Sequence, residues 1–229
     1  MPSQWYTEDP CHWPAGTAEY RPTRAVITCT DVQIGFSSGV GPDLCRLDLA
    51  SGASVVAVFG SKTRAANSGY AIDLIADNSG ASIAVLSGQV AISASGADTT
   101  SVGSIRVANE GAVYVGPGVT VTDVVTTGSL LLAASATTLT IDAGTTTITG
   151  ESAITTLHLR GGTLVHKSTG VITTANVGPG TLDCSQDIRP RTITNMTLNK
   201  GGVFRDQYTA MTITNKTAMA ADADVLTAT

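Results

Sequence analysis

Residues 153–164 read Ala-Ile-Thr-Thr-Leu-His-Leu-Arg-Gly-Gly-Thr-Leu, a run of β-branched, apolar and small polar residues that meets a pair of glycines. Alternation at a period of two is typical of a β-strand, and the glycines end the strand with a turn. Similar endings recur at 142–144, 178–180 and 200–202, each after a Thr-rich stretch. No window shows apolar residues at helical spacing between capping residues. The sequence therefore predicts an all-β chain.

The glycines that close these runs are regularly spaced along the chain. Their successive intervals are 16, 15, 17, 16, 18, 18 and 22 residues. A repeat of roughly 15 to 22 residues suits one coil of a parallel β-helix, or β-solenoid, with two or three short strands in each coil. We expect Val, Ile, Leu and Ala at inward positions and Thr, Ser and Asn at outward ones, with Thr stacked on Thr. The glycines are Gly80, Gly96, Gly111, Gly128, Gly144, Gly162, Gly180 and Gly202.

A β-sandwich of antiparallel hairpins is the alternative fold, because short strands at regular spacing also suit it. The hairpin turns Asn-Gly and Asp-Gly do not occur in the sequence, which favours the solenoid.

The composition predicts three segments. Residues 1–49 hold both tryptophans, three of the four cysteines and five of the eight prolines. Proline interrupts sheet ladders, so we expect an irregular N-terminal segment that docks onto a partner or caps the core. Residues 50–217 are expected to form the solenoid body, and residues 218–229 a C-terminal tail or cap.

Charge and hydropathy exclude several classes of function. The chain has 229 residues, of which 14% are charged and 35 are Thr, and its formal net charge is -5. Four lysines in an acidic chain exclude a nucleic-acid binder that works by neutralising phosphates. No apolar stretch reaches the ~20 residues of a membrane-spanning helix, and the first residues lack the pattern of a secretory signal. We expect synthesis in the cytosol, reduced cysteines, and no nucleic-acid or membrane partner.

Carboxylates and arginines are the candidates for polysaccharide lyase or hydrolase chemistry, which parallel β-helices often carry. With coils of about 18 residues, Asp142 and Arg160 stack on one face with Gly178 above them. No two carboxylates meet in adjacent coils, so we predict that the protein is not an enzyme. The Arg-Pro-Arg run at 189–191 predicts an outward turn in which Asp187 pairs with one arginine. The full set of candidates is Asp142, Glu151, Arg160, Asp183, Asp187, Arg189 and Arg191.

Cysteine and histidine offer no strong site. Cys11, His12, Cys29 and Cys45 could supply four zinc ligands, but they lack the tight Cys-x2-4-Cys spacing of zinc sites. We therefore predict no metal and no cofactor. His158 alternates outward in its strand and is expected to be an exposed sheet residue. Three histidines define no Ser-His-Asp arrangement.

Residues 139–217 resemble the β-helical structural proteins of tailed-phage virions. The resemblance lies in Thr-hydrophobic strands ended by glycines, at 153–164 and again at 180–198. It implies a homotrimeric, non-enzymatic virion protein assembled in the host cytoplasm. The modest length favours a capsid decoration (cement) protein that bridges capsomers of the major capsid protein or contacts another virion protein. One alternative is a receptor-binding tail fibre, spike or adhesin; another is a small polysaccharide lyase or hydrolase.

A cement protein needs a foot that contacts the capsid and a rigid body that projects outward. Aromatic side chains dominate interface anchoring, so the aromatics of the N-terminal segment are the candidate docking residues. They are Trp5, Tyr6, Trp13 and Tyr20.

Overall fold

The computed structural model describes two compact units, residues 1–119 and 120–229. All secondary structure in the described ranges is β-strand, and every strand pair in them is parallel. Both units are therefore β-solenoids, which confirms the predicted fold and makes the β-sandwich wrong. The described ranges are 4–6, 25–27, 32–35, 45–49, 54–58, 72–76, 82–94, 100–218 and 224–226, with side chains over 82–92 and 101–217.

The first unit has two columns of stacked strands. The odd-numbered strands β1, β3 and β5 form one column and the even-numbered β2, β4 and β6 the other. The long strands β7 and β8 run through both columns, with a register irregularity between Val85 and Ser87. The strands are β1 (Gln4–Tyr6), β2 (Ala25–Ile27), β3 (Val32–Gly35), β4 (Cys45–Leu49), β5 (Ser54–Val58), β6 (Ile72–Ala76), β7 (Ser82–Ala94) and β8 (Thr100–Val115).

The second unit is more regular, with two short strands in each coil. The odd-numbered strands β9 to β19 form one column and the even-numbered strands β10 to β20 the other. The strands are β9 (Val119–Thr126), β10 (Ser129–Leu132), β11 (Ser135–Ile141), β12 (Thr145–Ile148), β13 (Ile154–Leu159), β14 (Thr163–His166), β15 (Ile172–Val177), β16 (Gly180–Asp183), β17 (Arg191–Leu198), β18 (Gly202–Arg205), β19 (Met211–Ala218) and β20 (Asp224–Leu226).

The register of the second unit confirms the predicted repeat. Paired residues lie between 15 and 22 positions apart, from Val124 with Leu139 to Leu182 with Phe204. In the first unit the pairs span 18 to 29 positions. The predicted boundaries at residues 49 and 217 stay predictions; β1 to β4 precede the first, and β20 follows the second.

The core of the second unit is built from rows of equivalent residues in successive coils. One row consists of Val124, Leu139, Leu157, Ala175 and Met196, all buried. The next strand, β19, places Lys216 in this row, and its side chain is exposed.

The outward rows carry the predicted polar residues. Thr138, Thr156 and Thr174 stack in register, and Asn195 continues their row. Asn215 follows, and its Nδ2 donates to Asn195 Oδ1 at 2.8 Å. The expectation that Thr stacks on Thr is therefore confirmed. Polar side chains in register on neighbouring parallel strands stabilise the pairing, as the Asn215–Asn195 hydrogen bond does.

Stacked glycines explain why the runs end where they do. Gly144 and Gly162 have φ of 75° and 66°, a left-handed conformation that is unfavourable for residues other than glycine. A Cβ on Gly162 would lie 2.3 Å from the carbonyl oxygen of Gly144, and one on Gly144 would lie 2.0 Å from that of Gly128. Each glycine lets the next coil approach closely enough for Thr163 N to bond Gly144 O at 2.9 Å.

Replacing Gly162 with alanine is expected to lower the free energy of unfolding by about 3 kcal/mol, since strain and backbone overlap add. Gly150→Ala is the matched control, because Gly150 has φ of 68° with nothing within 4 Å of the added Cβ. Gly150→Ala should lower the free energy of unfolding by about 1 kcal/mol, from backbone strain alone. Urea unfolding followed by circular dichroism measures both. Equal losses in the two variants would contradict the close-approach explanation.

Candidate functional site

Most of the candidate side chains gather along one set of connections in the second unit. These connections, called the loop edge here, are residues 167–171, 184–190 and 206–210, which join β14 to β15, β16 to β17 and β18 to β19. Hydrogen bonds hold them in place: Arg189 Nη2 donates to Lys167 O at 2.7 Å, and the N–H of Arg191, the first residue of β17, donates to Ala210 O at 3.0 Å. The loop edge is therefore a stack, like the strands beside it.

Arg191 lies inside this stack, so the prediction of an outward turn is wrong for this residue. Its side chain is 2% exposed, and its guanidinium donates to four backbone carbonyl oxygens. The planar fork of an arginine suits several acceptors held by the backbone. The acceptors belong to His166, Cys184, Asp187 and Arg189, the last three at 2.7, 2.5 and 3.1 Å. One side chain thus ties the 184–190 connection to β14.

His166 is a buried, neutral imidazole. Its Nδ1 accepts from Ser168 N at 3.3 Å, and its Nε2 has no hydrogen-bond partner within the described part of the chain. Burial lowers its pKa to about 3, and the charge of Arg191 acts in the same direction. His166 pairs in register with Ile148 of the preceding coil, and Ile148 pairs with Leu132 of the coil before that. A histidine has therefore taken a core position.

Asp183 and Asp187 shape the connection rather than a reaction centre. Asp183 Oδ1 accepts from Ser185 N at 2.9 Å and from Ser185 Oγ at 2.6 Å. Burial acts to raise the pKa of Asp183, but these bonds, one from Gln186 and the charge of Arg205 outweigh it and lower the pKa. Hydrogen bonds from Arg189 hold the pKa of Asp187 far below its usual range. The predicted ion pair is thus between Asp187 and Arg189, at 2.5 Å.

Asp206 plays the same part in the next connection. Its carboxylate is 4% exposed and accepts from Ala210 N at 3.2 Å and from Met211 N at 3.0 Å. Inside this turn Thr209 has φ of 51°, an unfavourable conformation for a β-branched residue. The carboxylate of Asp206 therefore stabilises a strained turn.

The remaining candidates lie apart from the loop edge. Asp142 and Arg160 stack as predicted, with 3.8 Å between Oδ1 and Nη1, and both side chains are exposed. His158 is half-buried on the outward face, where its Nδ1 lies 3.4 Å from Asn176 Nδ2. Glu151 is exposed. None of these contacts assembles a pair of carboxylates.

Cys184 follows β16 and is a free, fully buried cysteine. Burial raises the pKa of its thiol to about 12, so the thiol stays protonated at neutral pH and is a poor nucleophile.

The N-terminal candidates are placed only through their backbone. Trp5 and Tyr6 belong to β1 and pair with Ile34 and Gly35 of β3. Trp13, Tyr20, Cys11, His12 and Cys29 lie outside the described residues, as does the side chain of Cys45. Over the described part of the chain, no three His, Cys, Asp or Glu side chains are placed to hold a metal ion.

Three features in or beside the loop edge were not predicted: the burial of Arg191, of His166 and of Asp206. Aligning the coils position by position indicates the burial of His166. His166 falls in the row of Leu132 and Ile148, where a polar residue must be buried. No comparable signal marks Arg191, because its acceptors are backbone atoms.

No protein-family model, curated protein or solved structure matches this chain. In the described ranges, no helix has the length and hydrophobicity needed to cross a bilayer.

Proposed function

We propose that this protein is a non-enzymatic structural component of a phage virion, a capsid decoration protein with a β-solenoid body. The observation that carries the proposal is the use made of the charged side chains. Asp183, Asp187 and Asp206 bond the backbone or side chains of their own connections, and Arg191 bonds four carbonyls. Charges occupied in this way support a scaffold rather than a catalyst.

The pattern of the sequence supports the virion setting. Thr-hydrophobic strands ended by glycines resemble the β-helical proteins of tailed-phage particles. Stacked coils in which each turn packs on its neighbours make a stiff body, as decoration of a capsid requires. The proposed assembly is a homotrimer, docked on the major capsid protein or another virion protein through residues 1–49, with Trp5, Tyr6, Trp13 and Tyr20 as anchors.

Removal of residues 1–24 is expected to abolish binding to capsids while the β-type circular dichroism signal persists. The measurement is co-sedimentation of the full-length and truncated chains with particles assembled from the cognate major capsid protein. A full-length chain in which the four aromatics are replaced by serine separates side-chain anchoring from loss of the segment, and should bind at least about 100-fold more weakly. Thr137→Glu is the matched control, an exposed change in the body. If the truncated chain binds capsids as tightly as the full-length chain, the docking proposal is wrong.

The same preparations separate the alternatives. Binding to host cells or polysaccharide without binding to capsids would indicate a receptor-binding fibre or adhesin. New reducing or unsaturated ends in a polysaccharide digest would indicate a lyase or hydrolase.

A further inference from the structure

Exposed apolar side chains collect on the loop edge. Within the described residues, the large hydrophobic side chains that stand exposed are Leu86, Val171, Ile188 and Tyr208. The last three belong to the loop edge and are 42%, 70% and 51% exposed. They come from three successive connections, and adjacent coils stack about 4.8 Å apart. A single exposed apolar residue needs no explanation, but a series along one edge does.

The connections that present these side chains are held rigidly. The Arg191 guanidinium bonds the carbonyls of Asp187 and Arg189, the residues on either side of Ile188. Asp206 bonds two backbone N–H groups that follow Tyr208 and holds Thr209 in its strained conformation. Strain of this kind persists where the surroundings enforce it, often at functional surfaces. A surface ordered in advance loses little entropy on association.

The charge around Ile188 favours a second copy of the same chain as the partner. Asp187 and Arg189 flank Ile188, and they neutralise each other through bonds of Arg189 Nε to both carboxylate oxygens, at 3.1 and 3.0 Å. The whole chain carries a net charge of -5, so two copies repel each other over much of their surface. At a neutral patch with an apolar centre this repulsion is smallest.

We propose that the loop edge is a self-association surface on which a second copy of this chain buries Ile188 and Tyr208. Isoleucine supplies apolar area, and tyrosine is among the residues that dominate binding energy at interfaces. The proposal deepens the assembly part of the proposed function and rests on it for the expected threefold symmetry. It names a surface outside residues 1–49, the segment proposed for capsid docking.

Analytical ultracentrifugation of the full chain over a range of concentrations tests this surface. We expect the wild type to sediment at three times its 23.2 kDa mass. The double variant Ile188→Glu/Tyr208→Glu should associate at least about 100-fold more weakly, because each new interface would bury unpaired carboxylates. The control Thr137→Glu/Thr173→Glu adds the same charge at exposed positions of the odd-numbered column and should associate like the wild type. If the Glu variant fails to fold, the milder double variant Ile188→Ser/Tyr208→Ser takes its place. It should also associate more weakly than the wild type.

A wild-type chain that remains at 23.2 kDa at every concentration would overturn the proposal. So would a folded Glu or Ser variant that assembles as tightly as the wild type. Capsid co-sedimentation keeps this failure distinct from failure of the proposed function. A monomeric wild type whose capsid binding still requires residues 1–24 would refute self-association and leave the docking proposal standing.

Discussion

Arg191→Met is expected to lower the free energy of unfolding by about 4 kcal/mol. Methionine can fill much of the space of the aliphatic stem but donates no hydrogen bond. The loss would leave the carbonyls of His166 and Cys184 buried without this donor, together with those of Asp187 and Arg189 in the adjoining turn. A buried acceptor without a donor costs about 1–3 kcal/mol, and partial rehydration of the turn keeps the sum below four full penalties.

Arg189→Met provides the matched control, since it makes the same change two residues away. The Arg189 side chain is 52% exposed, and solvent screens an exposed ion pair, so Arg189→Met should lower the free energy of unfolding much less than Arg191→Met does. Urea titration monitored by far-ultraviolet circular dichroism gives both values, and Arg191→Lys should fall between them because one ammonium cannot serve four fixed acceptors. Similar losses for Arg189→Met and Arg191→Met would contradict the importance of burial and of the four carbonyl bonds, because Arg189 is exposed and bonds one carbonyl, that of Lys167.

Acidification from pH 7 to pH 4.5 is expected to destabilise the wild type by about 2–3 kcal/mol through His166 alone. In the folded chain the pKa of His166 is about 3, against 6.5 for an unperturbed histidine. Between these two values the unfolded chain binds the proton and the folded chain does not, so stability falls as the pH falls. The loss from this residue is complete only below pH 3, where Asp183 and Asp187, with their lowered pKa values, add losses of their own.

His166→Asn isolates this contribution. The asparagine Oδ1 can accept from Ser168 N as the imidazole Nδ1 does, but it removes the second ring nitrogen and cannot titrate. The difference in unfolding free energy between pH 7 and pH 4.5 should shrink by about 2–3 kcal/mol in this variant. His158→Asn keeps His166 and therefore keeps its share of the difference. An unchanged pH difference in His166→Asn would mean that the imidazole is not held neutral in the folded chain.

The regular part of the fold could be predicted because its signal is local and repeated. Gly144 and Gly162 sit at the same point of successive coils, and Thr138, Thr156 and Thr174 share one outward row. Both patterns follow from sterics and pairing that recur every coil. The first unit was harder to read because its paired strands lie as many as 29 positions apart, which hides the repeat among long connections.

The loop edge could not be predicted from the same cues. Arg-Pro-Arg beside an aspartate has the composition of a surface turn, and Arg189 with Asp187 behaves as one. Arg191 differs from Arg189 only in what surrounds it, namely carbonyls contributed by residues 2 to 25 positions earlier. Every residue carries a backbone carbonyl oxygen, so the sequence does not show which of these oxygens will surround an arginine. The burial of His166 is equally a property of its coil, since its neighbours in sequence do not distinguish it from an exposed strand end.

Lys216 makes β19 a poor template for the pairing of a further β-strand. An exposed strand edge with an apolar row can act as a template that recruits further strands, as an amyloid fibril end does. In β19 the row that holds Met196 and Leu157 continues with an ammonium group. Any strand added there would have to bury that charge without a partner, which costs several kcal/mol. Lys216 thus disfavours the pairing of a further strand with β19.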